Sequence, residues 1–368
     1  MDESCSKIEN FVFTGIDMYS DKMKAALMYG AKDVRIEKVT IPKIGENEVL
    51  IKVESVGICA TDVKKYIGVS SCKFPIILGH ELAGSIISLG SKVKGYKNGD
   101  RVSANPDMPC FRCKYCLQSK FNLCTNLAVI GYGTEEIEPI NGAFAEYVKL
   151  PAWNLIKLED KINYDQGTYI EPFTCVIRSF SLAKVNPTDS ILILGDGRIG
   201  LLHTQLAKES GADRIIITGL SENRLTLAKK LGAHEVINVK NNNLVNYIKE
   251  HTSDGVDAVF DTTGVVSAAE QGVQLLAPHG RFIAFAGFAK GQNMMINPRD
   301  LHYKEIILTG SFGYGSPMDY YRAAHLIATK RINVDELTTQ VRPLDGIEEG
   351  FIEISELKSI RTIIHPQE

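Results

Sequence analysis

Cys110, Cys113, Cys116 and Cys124 fall within the run "PCFRCKYCLQSKFNLC", with the spacing C-x2-C-x2-C-x7-C. Two-residue gaps turn successive thiolates toward one point. The longer gap lets the chain loop back with the fourth. A zinc ion takes four such ligands in a tetrahedron at about 2.3 Å from sulfur. A filled shell leaves no position for a reactant, so this cluster is expected to hold a structural metal. Disulfides and an iron–sulfur cluster are the other uses of four close thiols. The bacterial ferredoxin run has a shorter third gap and a proline after its last cysteine; here Thr125 and Asn126 follow Cys124. A ribbon that grips nucleic acid would need more cations than Arg112, Lys114 and Lys120.

A second set is dispersed. Cys59 lies in "GICATD", His80 and Glu81 in "LGHELAG", and Glu171 in "YIEPF". Each is weak evidence alone. Together they offer a thiol, an imidazole and carboxylates from separate segments. A catalytic zinc uses three protein ligands and keeps one position open. A third pattern, "ILILGDGRIGLLHTQLAKESGA", places Gly195, Gly197 and Gly200 in a G-x-G-x-x-G turn after an apolar strand and before a helix. That context marks a dinucleotide site. Gly195 permits the tight turn, Gly197 lets a pyrophosphate approach the backbone, and Gly200 permits close helix–strand packing.

These residues need elements to position them. From Met23 to about residue 160, short strand-like runs such as "VRIEKV" and "EVLIKVESVGI" are broken by proline and glycine turns, which predicts a mainly β region, a partly open barrel. From about residue 166 to 305, apolar strands alternate with helical periodicity, which predicts a parallel sheet with helices on both faces. Glu171 sits at the seam, at the start of a helix. Residues 1–22 read as an extension outside the core.

The ordered set "GICATD", "GHELAG", the four-cysteine lobe, "GDRV", "GAFAEYV", "EPF" and the Gly-rich turn resembles the zinc-dependent medium-chain alcohol dehydrogenases, in their sorbitol (polyol) dehydrogenase branch. The resemblance implies an α/β fold: a GroES-like, partly open β-barrel catalytic domain (1–165 and 309–368) and a Rossmann doubly wound parallel sheet (166–308). It implies Cys59 and His80 as ligands of a catalytic zinc. Glu81, or Glu171 directly or through water, would complete the shell. Asp62 would orient His80. Thr61 would relay a proton, with Lys64 where relatives often carry histidine. Arg198, Ile199 and Arg361 would join the glycines at the cofactor. Relatives often carry histidine where this chain has Arg178, and those that act on sugar alcohols often carry arginine where it has Gly313.

An NAD enzyme ordinarily ends its second strand on an acid that bonds the ribose 2′-hydroxyl. Here "RIIITGLSENRL" places Gly219 at that position. Without a carboxylate there, a 2′-phosphate meets no repulsion, and Ser221 and Arg224 stand near enough in sequence to bind it. NADP is therefore the expected cofactor, with NAD as the alternative.

The bulk properties agree with a small-molecule enzyme. A formal net charge of -3 gives no field for nucleic acid or an anionic membrane, and no apolar run is long enough for a span. The first residues lack the pattern of a signal peptide, and close cysteines in a cytoplasmic protein favour metal over disulfides. The expectation is a cytoplasmic, homo-oligomeric oxidoreductase. It would move a hydride between a secondary alcohol or polyol, or the matching ketone or ketose, and a nicotinamide. A sugar phosphate or hydroxy acid is the alternative substrate, suggested by Lys64 and Lys65. A non-catalytic dinucleotide sensor or structural protein is the alternative of another class.

Overall fold

The computed structural model describes residues 21–70, 72–132 and 140–368. Residues 1–20 of the expected extension lie outside the described residues, and Lys22 opens the first strand, Lys22–Gly30.

The strand Glu48–Gly57 is the spine of the first region. Its apolar positions bury Val49, Ile51, Val53 and Val56. It pairs antiparallel with Glu81–Leu89, Tyr147–Pro151 and, near the C-terminus, Thr362–His365. These strands belong to a seven-stranded sheet. A three-stranded sheet stands beside it, with Lys22–Gly30 between Asp33–Thr40 and Ile76–Ile77. The two sheets share an apolar core that includes Met28, Ile51, Leu82, Phe144 and Phe351. This is the partly open, GroES-like barrel. Its spine also fixes the chemistry, because Gly57 is in register with Glu81 across the ladder. Cys59, just past the end of one strand, therefore comes beside His80, just before the start of the other. Gly84 is required by close approach: a Cβ there would lie 2.1 Å from the Lys52 carbonyl oxygen.

The second region is a parallel sheet of six strands. Across the sheet they run Glu235–Asn238, Arg214–Gly219, Ser190–Leu194, Val256–Asp261, Leu276–Ala284 and Ile307–Gly310. The runs Ile191–Leu194 and Ile215–Ile217 are fully or nearly fully buried, as expected of parallel strands covered on both faces. Chain order reverses between Ser190–Leu194 and Val256–Asp261, and such a switch opens a crevice at the carboxyl ends of the strands. Gly195 and Asp196 on one side, and Thr262 and Thr263 on the other, line that end. The last strand extends to Gly310, past the expected limit at 308.

The helix Ile170–Ala183 joins the regions. Pro172 is tolerated because it lies in the first turn, where no intrahelical N–H bond is lost. Phe173, Val176, Ile177 and Phe180 face the core. The helix packs on Arg198–Glu209 and on Pro317–Ala328, which places Glu171 at the junction. Among the described residues, no helix is long and apolar enough to cross a membrane.

Candidate active site

The four-cysteine cluster converges as its spacing predicts. The sulfurs of Cys110, Cys113, Cys116 and Cys124 all lie within 4.8 Å of one another, and none of these cysteines is in a disulfide. Cys110 and Cys116 are 4.0 Å apart, as are Cys113 and Cys124. Four sulfurs at about 2.3 Å from one zinc would be roughly 3.8 Å apart. Backbone N–H groups of Cys110, Cys116 and Asn126 point at sulfurs of the set, at 3.2, 3.5 and 3.4 Å. These donors favour thiolates. The amides of Cys116 and Thr125 hold Cys113 down at about 5, whereas burial and the neighbouring thiols push Cys116 up to about 12. The donor set fits a structural zinc.

The dispersed set also assembles. One donor atom each from Cys59, His80 and Glu81 lies within the same 4.8 Å limit. His80 is 8% exposed and Glu81 1%. His80 Nδ1 is buried with no hydrogen-bond partner. Burial would depress this imidazole, but the Cys59 thiolate and the Asp62 carboxylate outweigh it and hold His80 well above its usual range. A buried thiol, imidazole and carboxylate converging on one point fit a metal cation. Asp62 is placed beside His80, with Oδ1 3.8 Å from Nδ1. Its Oδ2 accepts the backbone N–H of Cys59 at 2.9 Å, so one buried carboxylate orders the loop that carries the thiol. Thr61 Oγ1 is buried without a partner.

The two glutamates have different settings. Glu171 stands outside the three-residue set, although its charge acts on His80. Burial, reinforced by the Glu81 carboxylate, pushes Glu171 up to about 7, and Cys175 Sγ donates to its Oε1 at 3.5 Å. Glu81 is gripped by two guanidinium groups. Arg198 donates to both its oxygens, at 2.5 and 2.8 Å, and Arg361 donates to Oε2.

That grip relocates two residues expected at the cofactor. Arg361 is fully buried; it also donates to the Thr168 carbonyl at 2.9 Å and hydroxyl at 2.8 Å, and lies over the Tyr169 ring. It has no face open to a ligand. Its bulk explains Gly57, where a Cβ would stand 1.8 Å from its Nη2. Arg198 opens the helix after the Gly-rich turn, but its side chain is spent on Glu81 and is 9% exposed. Arg224 reaches the other way, donating to the carbonyls of Leu357 and Ser359 at 2.7 and 3.0 Å. Lys64 is exposed, with Nζ 3.4 Å from the Gly287 carbonyl. Lys65 is 3% exposed and lies over the Tyr132 ring at 4.2 Å, so it does not carry free charge to the mouth.

The Gly-rich turn has the shape its glycines predict. Gly195 has φ 108°, in the left-handed region. A Cβ on Gly200 would sit 1.9 Å from the Gly195 carbonyl oxygen. Nothing lies within 4 Å of a Cβ built on Gly197, so its backbone is open to an incoming group. Ile199 packs at the core edge, and its carbonyl lies 2.8 Å from His203 Nδ1. This open backbone at the switch point fits a pyrophosphate.

Two acids were not singled out from sequence. Asp107 is pushed up to about 7 by burial and the Glu171 charge, and its Oδ2 lies 3.8 Å from where a Gly313 Cβ would be. Asp196 Oδ2 accepts the backbone N–H groups of Leu220 and Ser221 at 2.9 and 2.8 Å. Asp196 was visible inside "GDGRIG" as a charged residue between glycines; Asp107 gave no comparable signal.

With this geometry established, comparison with known proteins identifies the family. Residues 45–160 match the alcohol dehydrogenase GroES-like domain, and residues 199–329 match the zinc-binding dehydrogenase model. The chain belongs to the zinc-dependent medium-chain alcohol dehydrogenases. Within them it is sorbitol dehydrogenase-like. It is 32% identical to a sorbitol dehydrogenase of Bacillus subtilis (strain 168), over 94% of this chain and 97% of that one. It is 33% identical to a D-arabitol-phosphate dehydrogenase of Enterococcus avium, over 90% of this chain and 94% of the other. A chain from Sinorhizobium meliloti 1021, described as a zinc-binding dehydrogenase and solved bound to NADP, superposes with TM-score 0.88 at 29% identity, covering 94% of this chain and all of that one. The protein is thus an alcohol or polyol dehydrogenase that works with zinc and a nicotinamide cofactor.

Proposed function

We propose that the protein interconverts a neutral polyol and its ketose at a secondary carbon. The convergence of Cys59, His80 and Glu81 beside the unpartnered Thr61 hydroxyl carries this reading. Cys59, His80 and Glu81 would hold the catalytic zinc, with Glu171 acting from outside the shell. Bound there, zinc supplies a Lewis acid at the reacting carbon–oxygen bond, and the nicotinamide supplies or accepts the hydride. Asp62 keeps the Cys59 loop in place and sets its charge beside His80. Thr61 takes the proton of the reacting hydroxyl and passes it outward. The exposed Lys64, three residues further on, or solvent receives it. Glu171 and Asp107 offer carboxyl groups to the other hydroxyls of the substrate, and their shared negative charge disfavours an anionic one.

Gly219 leaves the strand end without an acid of its own, which supports NADP(H), with NAD(H) as the alternative. A sugar phosphate is the second reading for the substrate. It is supported by the likeness to an arabitol-phosphate enzyme and by the exposed Lys64 at the cleft. We also read residues 1–165 with 309–368 as the catalytic domain and 166–308 as the cofactor domain. The exposed edge strand Ile307–Gly310, with Tyr303 and Phe312 also exposed beside it, supports pairing of subunits at that edge in a cytoplasmic homo-oligomer.

Absorbance assays of NADPH and NADH oxidation, with a panel of ketoses, ketones and phosphorylated ketoses, test the proposal. Chelator-sensitive turnover of an unphosphorylated ketose is expected. A phosphorylated ketose favoured at least about tenfold in kcat/KM would establish the second reading. Cofactor binding without turnover of any carbonyl would replace both with a sensor.

A further inference from the structure

The structure assigns discrimination at the ribose 2′ position to Asp196 in the Gly-rich turn, in place of an acid at the end of the second strand. The strand Arg214–Gly219 ends without a side chain, but the space beside Gly219 is filled. A Cβ built on Gly219 would stand 2.2 Å from Asp196 Oδ2, 2.3 Å from Cγ and 2.4 Å from Cβ. The Asp196 carboxyl group therefore lies where the first atoms of a strand-end side chain would lie. Gly219 is the residue that makes room for it. The two positions cannot both carry a side chain in this backbone.

The carboxylate is fixed there. Asp196 is 9% exposed, and its Oδ2 accepts both the Leu220 and the Ser221 amide. The helix Glu222–Leu231 begins at this point. Its N-cap, Ser221, makes no side-chain capping bond, and Asp196 places a carboxylate on the N-cap amide from the neighbouring loop. A 2′-phosphate arriving at the end of this strand would need those same amides and would meet a negative charge already bonded to them. A ribose 2′-hydroxyl needs only an acceptor. Among the described residues Oδ1 takes no hydrogen bond, and a carboxylate oxygen can accept from a hydroxyl. Arg224, the cation that could offset the repulsion, is turned to the Leu357 and Ser359 carbonyls. The bare strand end and Asp196 thus act in opposite directions on the 2′-phosphate, and Asp196 restrains the use of NADP(H) relative to NAD(H).

This inference rests on the reading of the turn as a dinucleotide site. The test measures Kd for NADPH and NADH by fluorescence, and kcat/KM for both, in the wild type, in Asp196→Asn and in Asp196→Gly combined with Gly219→Asp. Asparagine keeps an oxygen for the two amides and removes the charge. It is expected to raise the preference for NADPH over NADH at least about tenfold. The double variant moves the acid to the strand end and should return the preference to the wild-type side. An unchanged ratio in Asp196→Asn, with both cofactors still bound, overturns the inference alone. Failure of the wild type to bind either cofactor overturns the dinucleotide reading with it.

Discussion

The protein has two cysteine-bearing centres built on opposite plans. The Cys110 lobe draws all its donors from one short run and aims backbone N–H groups at the sulfurs. The Cys59 centre draws on a strand end and a strand start, with Glu171 of a distant helix outside the set, and its Glu81 carboxylate is balanced by arginines far away in sequence. A site closed by local spacing needs little from the rest of the fold and offers nothing to a substrate. A site assembled from separate elements depends on the whole fold and keeps room for a reactant. Density of ligand-type residues in sequence is thus a poor guide to where chemistry occurs.

The sharpest way to break this contrast is to remove one thiol from each centre. Cys59→Ser should lower kcat by about 10³-fold or more and remove one zinc per chain, with Tm almost unchanged. Cys113→Ser should remove the other zinc and lower Tm by roughly 5–10 °C, with activity falling only as folded protein is lost. Metal analysis, thermal melts and steady-state rates on the same preparations decide. Equal activity losses at matched Tm would erase the distinction.

Glu81→Gln tests whether the second centre is held by the fold. It leaves the buried guanidinium groups of Arg198 and Arg361 without their anion, at a cost of about 3–5 kcal/mol in chemical denaturation. Glu171→Gln, with no such partners, should stay within about 1 kcal/mol of the wild type. Next in size is Thr61→Val. Because the hydroxyl has no structural partner, kcat should fall about 10²-fold while zinc content and stability hold. A stability loss matching the rate loss would make Thr61 a packing residue.

The smallest effect lies away from both centres and is a control for pH. His365 Nε2 lies 2.8 Å from Asp165 Oδ1, and that bond, against burial, lifts the imidazole to about 9. The folded value exceeds the unfolded value of about 6.5, so the stabilisation is complete below that pH and is lost as pH rises through 9. The pair is partly exposed, so the contribution is on the order of 1 kcal/mol. Stability measured from pH 6 to 10 should fall by that amount more in the wild type than in His365→Asn. Parallel pH curves would show that the pair contributes nothing.

The legibility of these features in sequence follows from how local they are. The cysteine spacing, the glycine turn and the alternation of strand and helix are set by neighbouring residues, and the structure has them in place. The roles of Glu81 and Glu171 could not be separated, because the difference lies in which of them Arg198 and Arg361 reach. Arg361 was expected at the cofactor and is fully buried, and nothing near it in sequence gave notice of a partner at Glu81. In sequence Gly219 is simply a missing acid. Only three-dimensional contact shows that Asp196 occupies the space.

The grip on Glu81 has a mechanical consequence. One carboxylate ties the strand Glu81–Leu89, the helix Arg198–Glu209 and the residue just before the strand Thr362–His365 at a single buried point. Across the same cleft, Lys64 and Gly287 meet only through an exposed contact at 3.4 Å. The point next to the metal ligands is therefore the firmly held side of the cleft, buttressed further by Arg224 on the Leu357 and Ser359 carbonyls. The side that carries Lys64 is the weakly held one.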